Sequence, residues 1–123
     1  MDGLPPRAPG FAVWDVVRVD FPYADETTLR RRPAVVLAIP PVHERFAVLW
    51  LAMITSARHR SWPGDVTITD LAKAGLAHSC VVRTAKIATL DARLAVRIGV
   101  LGLPDRVGVG RCLREALSAI LSL

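Results

Sequence analysis

The distribution of apolar residues along the chain predicts a small, mainly β domain. Residues 13–21 (VWDVVRVDF) alternate in part between valines and polar residues, which is typical of a strand with one buried face. Residues 33–39 and 46–54 are continuous apolar runs rich in β-branched and aromatic side chains, and such runs are typical of strands covered on both faces. Together these patterns favour a small closed barrel.

Shorter segments extend this prediction towards the carboxyl end. Further short strands are expected at residues 65–69 (DVTIT), 79–83 (SCVVR) and 86–90 (KIATL), and LAKAG predicts one helical turn closed by Gly75. Residues 104–123 predict a terminal helix, because their apolar residues recur at helical spacing. We expect that stripe to pack on the barrel; it consists of Leu113, Ala116, Leu117, Ile120 and Leu121. The predicted fold class is therefore mainly β with a terminal helix, an SH3-like small barrel, with an OB-type barrel as the alternative.

Length and composition limit the classes of protein to consider. A chain of 123 residues with 52% hydrophobic content suits one domain spanning residues 1–123, of which we expect residues 1–12 to be a flexible leader. The longest apolar runs reach nine residues, whereas roughly 18 are needed to span a bilayer. The amino-terminal residues MDGLPPRAPGF lack the apolar segment of a secretory signal peptide. We therefore expect a cytoplasmic protein. Its net charge of +5 favours a polyanionic partner.

The distribution of histidine and cysteine predicts no metal or cofactor. His43, His59 and His78 are widely spaced, and no pattern of paired ligands surrounds them. Cys80 and Cys112 fall in different predicted elements and lack CxxC spacing, so we expect free, buried thiols.

The stretch RRRPAVVLAIP sets three arginines directly before an apolar strand. If residues 33–39 and 46–54 form a hairpin around a symmetric loop, Arg32 lies opposite Thr55. Because a residue before proline is held extended, Arg32 is expected to project beside Thr55 and Ser56. The pattern thus predicts a cluster of cation and hydroxyls at one rim of the barrel.

Four segments of the chain resemble successive blocks of the MazF/PemK toxins. They read VVRVDFPY, RRRPAVVLA, LAMITSARHRSWPGDVTITDLAKAGL and SCVVRTAKIATLD, and they occur in the family's order and spacing over about residues 13–120. The resemblance implies an SH3-like barrel that forms a homodimer and a sequence-selective endoribonuclease that cleaves single-stranded RNA without metal. It also implies a cognate acidic antitoxin that occupies the RNA groove.

The chemistry of RNA cleavage needs few groups, because RNA carries its own nucleophile. The enzyme must deprotonate the 2′-OH, protonate the leaving 5′ oxygen and stabilise a dianionic phosphorane. The resemblance implies Arg32 and Thr55 as catalytic residues, and Arg83 as the acid that some members use. Those members carry an aspartate, proposed as base, two positions after that arginine, where this chain has Ala85. We therefore expect Arg32 and Thr55 to be the catalytic residues. The alternative is that another group, such as His59, replaces the missing base.

Two polar loops, residues 22–32 and 57–64, supply most of the remaining candidates. Arginines there suit phosphate oxygens, and a loop tryptophan can stack on a splayed base. The candidate RNA contacts are Arg30, Arg31, Ser56, Arg58, His59, Trp62 and Lys86.

Each of these roles has a structural alternative. Arg32 could instead pair with Asp25 or Glu26, and the Thr55 hydroxyl could cap its own backbone. The loop cations could be solvated charges, and Trp62 could pack on the barrel.

Two other functions remain open from the sequence. A CcdB-like gyrase poison shares the barrel but acts through its carboxy-terminal residues, and SAILSL does not resemble that motif. A non-catalytic RNA- or protein-binding regulator with an SH3-like barrel is consistent with Ala85 in place of an acid.

Overall fold

The computed structural model describes residues 10–21, 30–42 and 47–122. The strands are β1 (Asp15–Phe21), β2 (Arg30–Ala38), β3 (Val48–Ser56), β4 (Asp65–Thr67), β5 (Cys80–Asp91) and β6 (Ala95–Val100). The helices are α1 (Leu71–Ala74), α2 (Leu103–Ala116) and α3 (Ser118–Leu121), and a single 3-10 turn covers Ala92–Leu94.

The strands form one six-stranded antiparallel sheet in the order β4-β5-β3-β2-β1-β6. The predicted class, mainly β with a terminal helix, is confirmed. Strands β4 and β6 are the edges of the sheet, and no pairing within the described ranges joins them, so the sheet is not the closed barrel that the apolar runs suggested.

Both faces of the sheet are covered by apolar side chains, which explains the continuous apolar runs. Neighbouring residues of a strand point to opposite faces, and here they alternate between two core clusters. The first cluster includes Val17, Val19, Ala34, Val36, Leu49, Leu51, Met53 and Leu90. The second includes Val16, Val35, Ala52, Ile54, Ile68, Val82, Leu101 and Val109.

The pairing of β2 with β3 has the register that the hairpin prediction required. Ala34 lies opposite Met53, Val35 opposite Ala52 and Val36 opposite Leu51, before an irregularity near Ala38. Continued for two residues towards the start of β2, this register brings Arg32 opposite Thr55. The strand pairing therefore sets a cation beside a hydroxyl.

The strand prediction failed at two places near the carboxyl end. The segments 79–83 and 86–90 form one long strand, β5, in which residues 84–86 bulge away from β3. Strand β6 was not predicted, because it is an edge strand whose residues Val96 and Arg97 are exposed and break the alternation.

The terminal helix also differs from its prediction. It divides at Leu117, and the packed face consists of Asp105, Val109 and Leu113. Asp105 fixes this first half, since it accepts hydrogen bonds from the Thr69 amide at 2.8 Å and hydroxyl at 3.0 Å. The expected packing of the later stripe is wrong, because Ala116, Leu117, Ile120 and Leu121 are exposed.

Smaller features complete the fold. Residues 1–9 of the expected leader lie outside the described residues, whereas Phe11 packs on the first core cluster and so belongs to the fold. The turn of α1 ends as predicted at Gly75, whose φ of 75° is left-handed. Cys80 and Cys112 are free, as expected, but half-buried. No helix in the described ranges is long and apolar enough to cross a membrane.

Candidate nucleic-acid interface

A groove of about 490 Å³ opens where the start of β2, the end of β3 and the start of β5 meet. Antiparallel pairing brings these three strand ends to the same end of the sheet. The groove is lined by Arg31, Arg32, Pro33, Ile54, Thr55, Ser56, Arg58, His59, His78 and Cys80. Among these described lining residues there are three arginines and two histidines and no acidic side chain. The site is therefore suited to an anion.

Arg32 and Thr55 meet in this groove. Arg32 precedes Pro33 and lies within β2, opposite Val19 of β1, so its backbone is extended. Both Arg32 and Thr55 are half-buried. Within the described part of the chain, the Thr55 hydroxyl makes no hydrogen bond to the backbone, and Asp25 and Glu26 lie outside that part.

Ser56 organises the turn that follows β3. Its Oγ accepts a hydrogen bond from the Arg58 amide at 3.2 Å, and its carbonyl accepts one from the His59 amide at 3.1 Å. The Ala57 amide also donates to the Ser79 carbonyl at 2.9 Å, which ties the turn to the segment before β5. These bonds place Arg58 and His59 in the groove, a common use of serine at a turn.

Arg31 lies at the mouth of the groove. Its Nε is 3.2 Å from Oδ1 of Asp20, and the two side chains are 70% and 39% exposed. An ion pair this exposed contributes about 0–1 kcal/mol. A phosphate can therefore compete with Asp20 for Arg31. The side chain of Arg30 lies outside the described residues.

His78 and Cys80 line the groove although sequence reasoning did not select them as site residues. They enter because β5 pairs with β3, which sets Cys80 opposite Ser56. Recognising that residues 54–56 (ITS) pair with the strand that begins in residues 79–82 (SCVV) would have identified them. Burial raises the pKa of the Cys80 thiol, so this side chain is neutral at pH 7.

Three candidates, Trp62, Arg83 and Lys86, do not line the groove. The guanidinium of Arg83 is buried beside Asp65, with Nε 3.1 Å from Oδ1 and Nη2 3.1 Å from Oδ2. It lies over the ring of Trp62, 4.1 Å from the centroid. Lys86 is exposed in the bulge of β5, next to the exposed Ala85. Asp65 was not selected from the sequence, although it holds the side chain of the candidate Arg83.

No set of three histidine, cysteine, aspartate or glutamate side chains within residues 10–21, 30–42 and 47–122 is arranged to hold a metal ion.

Comparison with known proteins identifies the family. The family model of the PemK-like, MazF-like toxin of type II toxin–antitoxin systems matches residues 12–117. The chain belongs to this family. A comparison with curated protein sequences finds no match.

Solved structures of MazF toxins share the fold. The chain is similar to the Mycobacterium tuberculosis toxin MazF-mt6, with a TM-score of 0.64 at 18% identity over 85% of this chain and 96% of that chain. It is also similar to MazF from Deinococcus radiodurans, with a TM-score of 0.62 at 22% identity over 95% and 99% of the two chains. A third is an endoribonuclease in complex with its cognate antitoxin from Mycobacterial species, with a TM-score of 0.63 at 17% identity over 86% and 93%.

The geometry divides the site residues predicted from the sequence into two groups. It brings together Arg31, Arg32, Thr55, Ser56, Arg58 and His59. It separates Arg83 from them, because that side chain is held by Asp65 outside the groove lining.

The ion pair of Asp65 with Arg83 predicts a pH-dependent stability. The hydrogen bond from Arg83 lowers the pKa of Asp65 below its ordinary value. A carboxyl with a lowered folded-state pKa stabilises the fold above its unfolded-state pKa, near 4, and this contribution is lost as the pH falls through the folded-state value. Removing the ionised partner of a buried hydrogen-bonding group costs about 1–3 kcal/mol. We expect Asp65→Asn to be destabilised by about that amount at pH 7, and by progressively less towards pH 3.

Urea unfolding of both proteins between pH 7 and pH 3 measures this difference. A difference in unfolding free energy that stays constant over the whole range contradicts the prediction.

Proposed function

We propose that this toxin is a metal-independent, sequence-selective endoribonuclease that cleaves single-stranded RNA, including mRNA. The observation that carries the proposal is the groove, in which Arg31, Arg32 and Arg58 accompany two histidines and two hydroxyls, with no acidic side chain among the described lining residues. Membership of the toxin family supports the same activity.

Arg32 is the residue proposed to hold the scissile phosphate. Its planar guanidinium can donate two parallel hydrogen bonds to phosphate oxygens. In the phosphorane the reacting phosphate carries more negative charge than in the substrate, so a fixed cation there stabilises the transition state selectively. Thr55 and Ser56 supply hydroxyls that can orient the phosphate or the 2′-OH.

The proposed reaction uses the substrate's own nucleophile. The 2′ oxygen attacks the phosphorus, its proton passes to a base, and the 5′ oxygen leaves with a proton from an acid. The products are a 2′,3′-cyclic phosphate and a 5′-OH. His59 and His78 are groove residues of the one side-chain type that ordinarily exchanges protons near neutral pH.

The remaining contacts are proposed to follow the RNA backbone and its bases. Arg30, Arg31 and Arg58 suit phosphates, and the exposed Lys86 suits a phosphate farther along the strand. Trp62 is 43% exposed while Arg83 covers one of its ring faces, so its other face is proposed to stack on a base.

A cognate acidic antitoxin is proposed as the protein partner, acting in the cytoplasm. The chain carries a net charge of +5, and an acidic segment seated in the groove would exclude RNA by occupying the same arginines. A mycobacterial endoribonuclease of this fold is known in complex with its antitoxin, which supports the proposal.

A homodimer is proposed from an exposed apolar patch formed by Trp50 and Ile87. Trp50 is 47% exposed and Ile87 is 49% exposed, and they lie on neighbouring strands, since Ala52 pairs with Ile87 and Trp50 with Thr89. This exposure excludes Trp50 from the core of the sheet. A second copy of the chain is the proposed cover.

We expect Trp50→Lys to weaken the dimer, because a charge replaces apolar area that pairing would bury. Sedimentation velocity over a range of concentrations measures the association, with Thr67→Lys as the control because it adds the same charge at an exposed position of β4. Equal dissociation constants for the wild type and Trp50→Lys would contradict the assignment of this patch.

The catalytic proposal predicts a selective loss of activity in Arg32→Ala. We expect the cleavage rate of a single-stranded RNA in EDTA to fall by roughly 10²- to 10³-fold, the usual effect of removing one transition-state donor. Arg111→Ala is the matched control, because it removes the same charge from an exposed position of α2 that does not line the groove. It should retain the wild-type rate.

Equal losses in the two variants, or unfolding of Arg32→Ala at ordinary temperature, would contradict the catalytic assignment. A wild-type protein that binds RNA without cutting it would instead support the non-catalytic regulator. Inhibition of gyrase without RNA cleavage would support the topoisomerase poison.

A further inference from the structure

Two consecutive residues of β5, Arg83 and Thr84, hold the loop 57–64 that joins β3 to β4. Nη2 of Arg83 donates to the carbonyl of Arg60 at 2.8 Å, and the Thr84 hydroxyl donates to the carbonyl of Gly64 at 2.7 Å. Both residues are buried. The loop is thus tied at its middle and at its end to one strand.

The position of the Arg83 guanidinium is itself fixed on several sides. Asp65 accepts hydrogen bonds from Nε and Nη2, each at 3.1 Å, and the two side chains are each 9% exposed. The Trp62 ring covers the guanidinium face, and the Trp62 amide donates to the same Asp65 carboxylate at 2.9 Å. Arg83 is therefore the centre of a closed set of contacts within the loop and its flanking strands.

This set of contacts adjoins the groove through the loop. Arg58 and His59, which line the groove, immediately precede Arg60, whose carbonyl Arg83 holds. Arg58 lines the same groove as Arg31 and Arg32, and like charges repel. The contact at Arg60 opposes that repulsion, because it keeps the loop from moving outward.

We propose that Arg83 is a positioning residue and not the acid of the reaction. Together with Asp65 it fixes the loop so that Arg58 and His59 line the groove with Arg32, and it does not touch the reacting phosphate. Its guanidinium does not line the groove, and its Nε and Nη2 donate hydrogen bonds to Asp65 and to the carbonyl of Arg60. A guanidinium also does not release its proton in proteins, so it cannot act as an acid. The statement about RNA cleavage rests on the proposed function, whereas the statement about the loop does not.

Arg83→Lys is the informative variant, because it keeps a cation for Asp65 but loses the planar fork that reaches Asp65 and Arg60 together. Arg106→Lys is the matched control. Arg106 also donates to a carbonyl, that of Leu101 at 2.7 Å, and lies over a tryptophan, with 5.9 Å to the Trp14 centroid. It takes no part in the loop or the groove lining.

Two measurements are made on the chain of 123 residues. The first is the rate of trypsin cleavage after Arg58 and Arg60, both within the loop, which reports how often the loop opens. The second is the KM and kcat for a short single-stranded RNA in EDTA. Asp65→Asn and the double variant Asp65→Asn with Arg83→Lys are measured alongside.

In Arg83→Lys we expect trypsin cleavage in the loop to accelerate about tenfold and KM to rise about tenfold, with kcat within about threefold of the wild type. Asp65→Asn should show the same pattern, although Asp65 does not line the groove. In the double variant the trypsin cleavage rate and KM should rise no further than in either single variant. Arg106→Lys should change none of these values.

Unchanged trypsin cleavage in Arg83→Lys would overturn the positioning role, whatever the activity. A fall in kcat of about 100-fold at unchanged KM, absent from Asp65→Asn, would overturn it in favour of proton transfer by Arg83. If the wild type cuts no RNA, faster trypsin cleavage in Arg83→Lys still supports the positioning role, and the failure belongs to the proposed function.

Discussion

The antiparallel register between β2 and β3 is the constraint on which the groove depends. It sets Ala34 opposite Met53, and its continuation brings Arg32, the last residue before Pro33, beside Thr55. Both faces of these strands are buried, so a slip of one residue would exchange two packed cores. The core therefore specifies the position of the charge, although the arginines themselves add nothing to the core.

A groove lined by cations must be held together by something other than the charges in it. The described lining residues include three arginines and no carboxylate, so their mutual repulsion opposes the fold. Side-chain contacts to the loop backbone supply the restraint. Ser56 fixes the turn that carries Arg58, and the buried Asp65–Arg83 pair, which lies outside the lining, ties the loop to β5. The acid that neutralises a buried arginine is thus kept away from the phosphate site. An RNA or an acidic peptide can then supply the missing negative charge.

Part of this arrangement was predictable from the sequence, and the limits have physical causes. Periodicity identified β1, β2 and β3, and the symmetric hairpin gave the register that joins Arg32 to Thr55. It did not reveal that β5 pairs with β3, a contact between residues far apart in the chain, so His78 and Cys80 were missed. The role of Asp65 was also hidden, because it depends on the pairing of Asp65 with Arg83 across β4 and β5. The exposed apolar residues from Ala116 to Leu121 show that helical periodicity marks an apolar face without showing what covers it.

The most direct test of the proposed ribonuclease activity is to map the ends that the purified protein produces from a long, mixed-sequence single-stranded RNA in EDTA. We expect cuts at a recurrent short motif, each leaving a 2′,3′-cyclic phosphate and a 5′-OH, because in the proposed reaction the 2′ oxygen is the nucleophile and no metal takes part. Intact RNA, or ends that carry a 5′-phosphate, would contradict it.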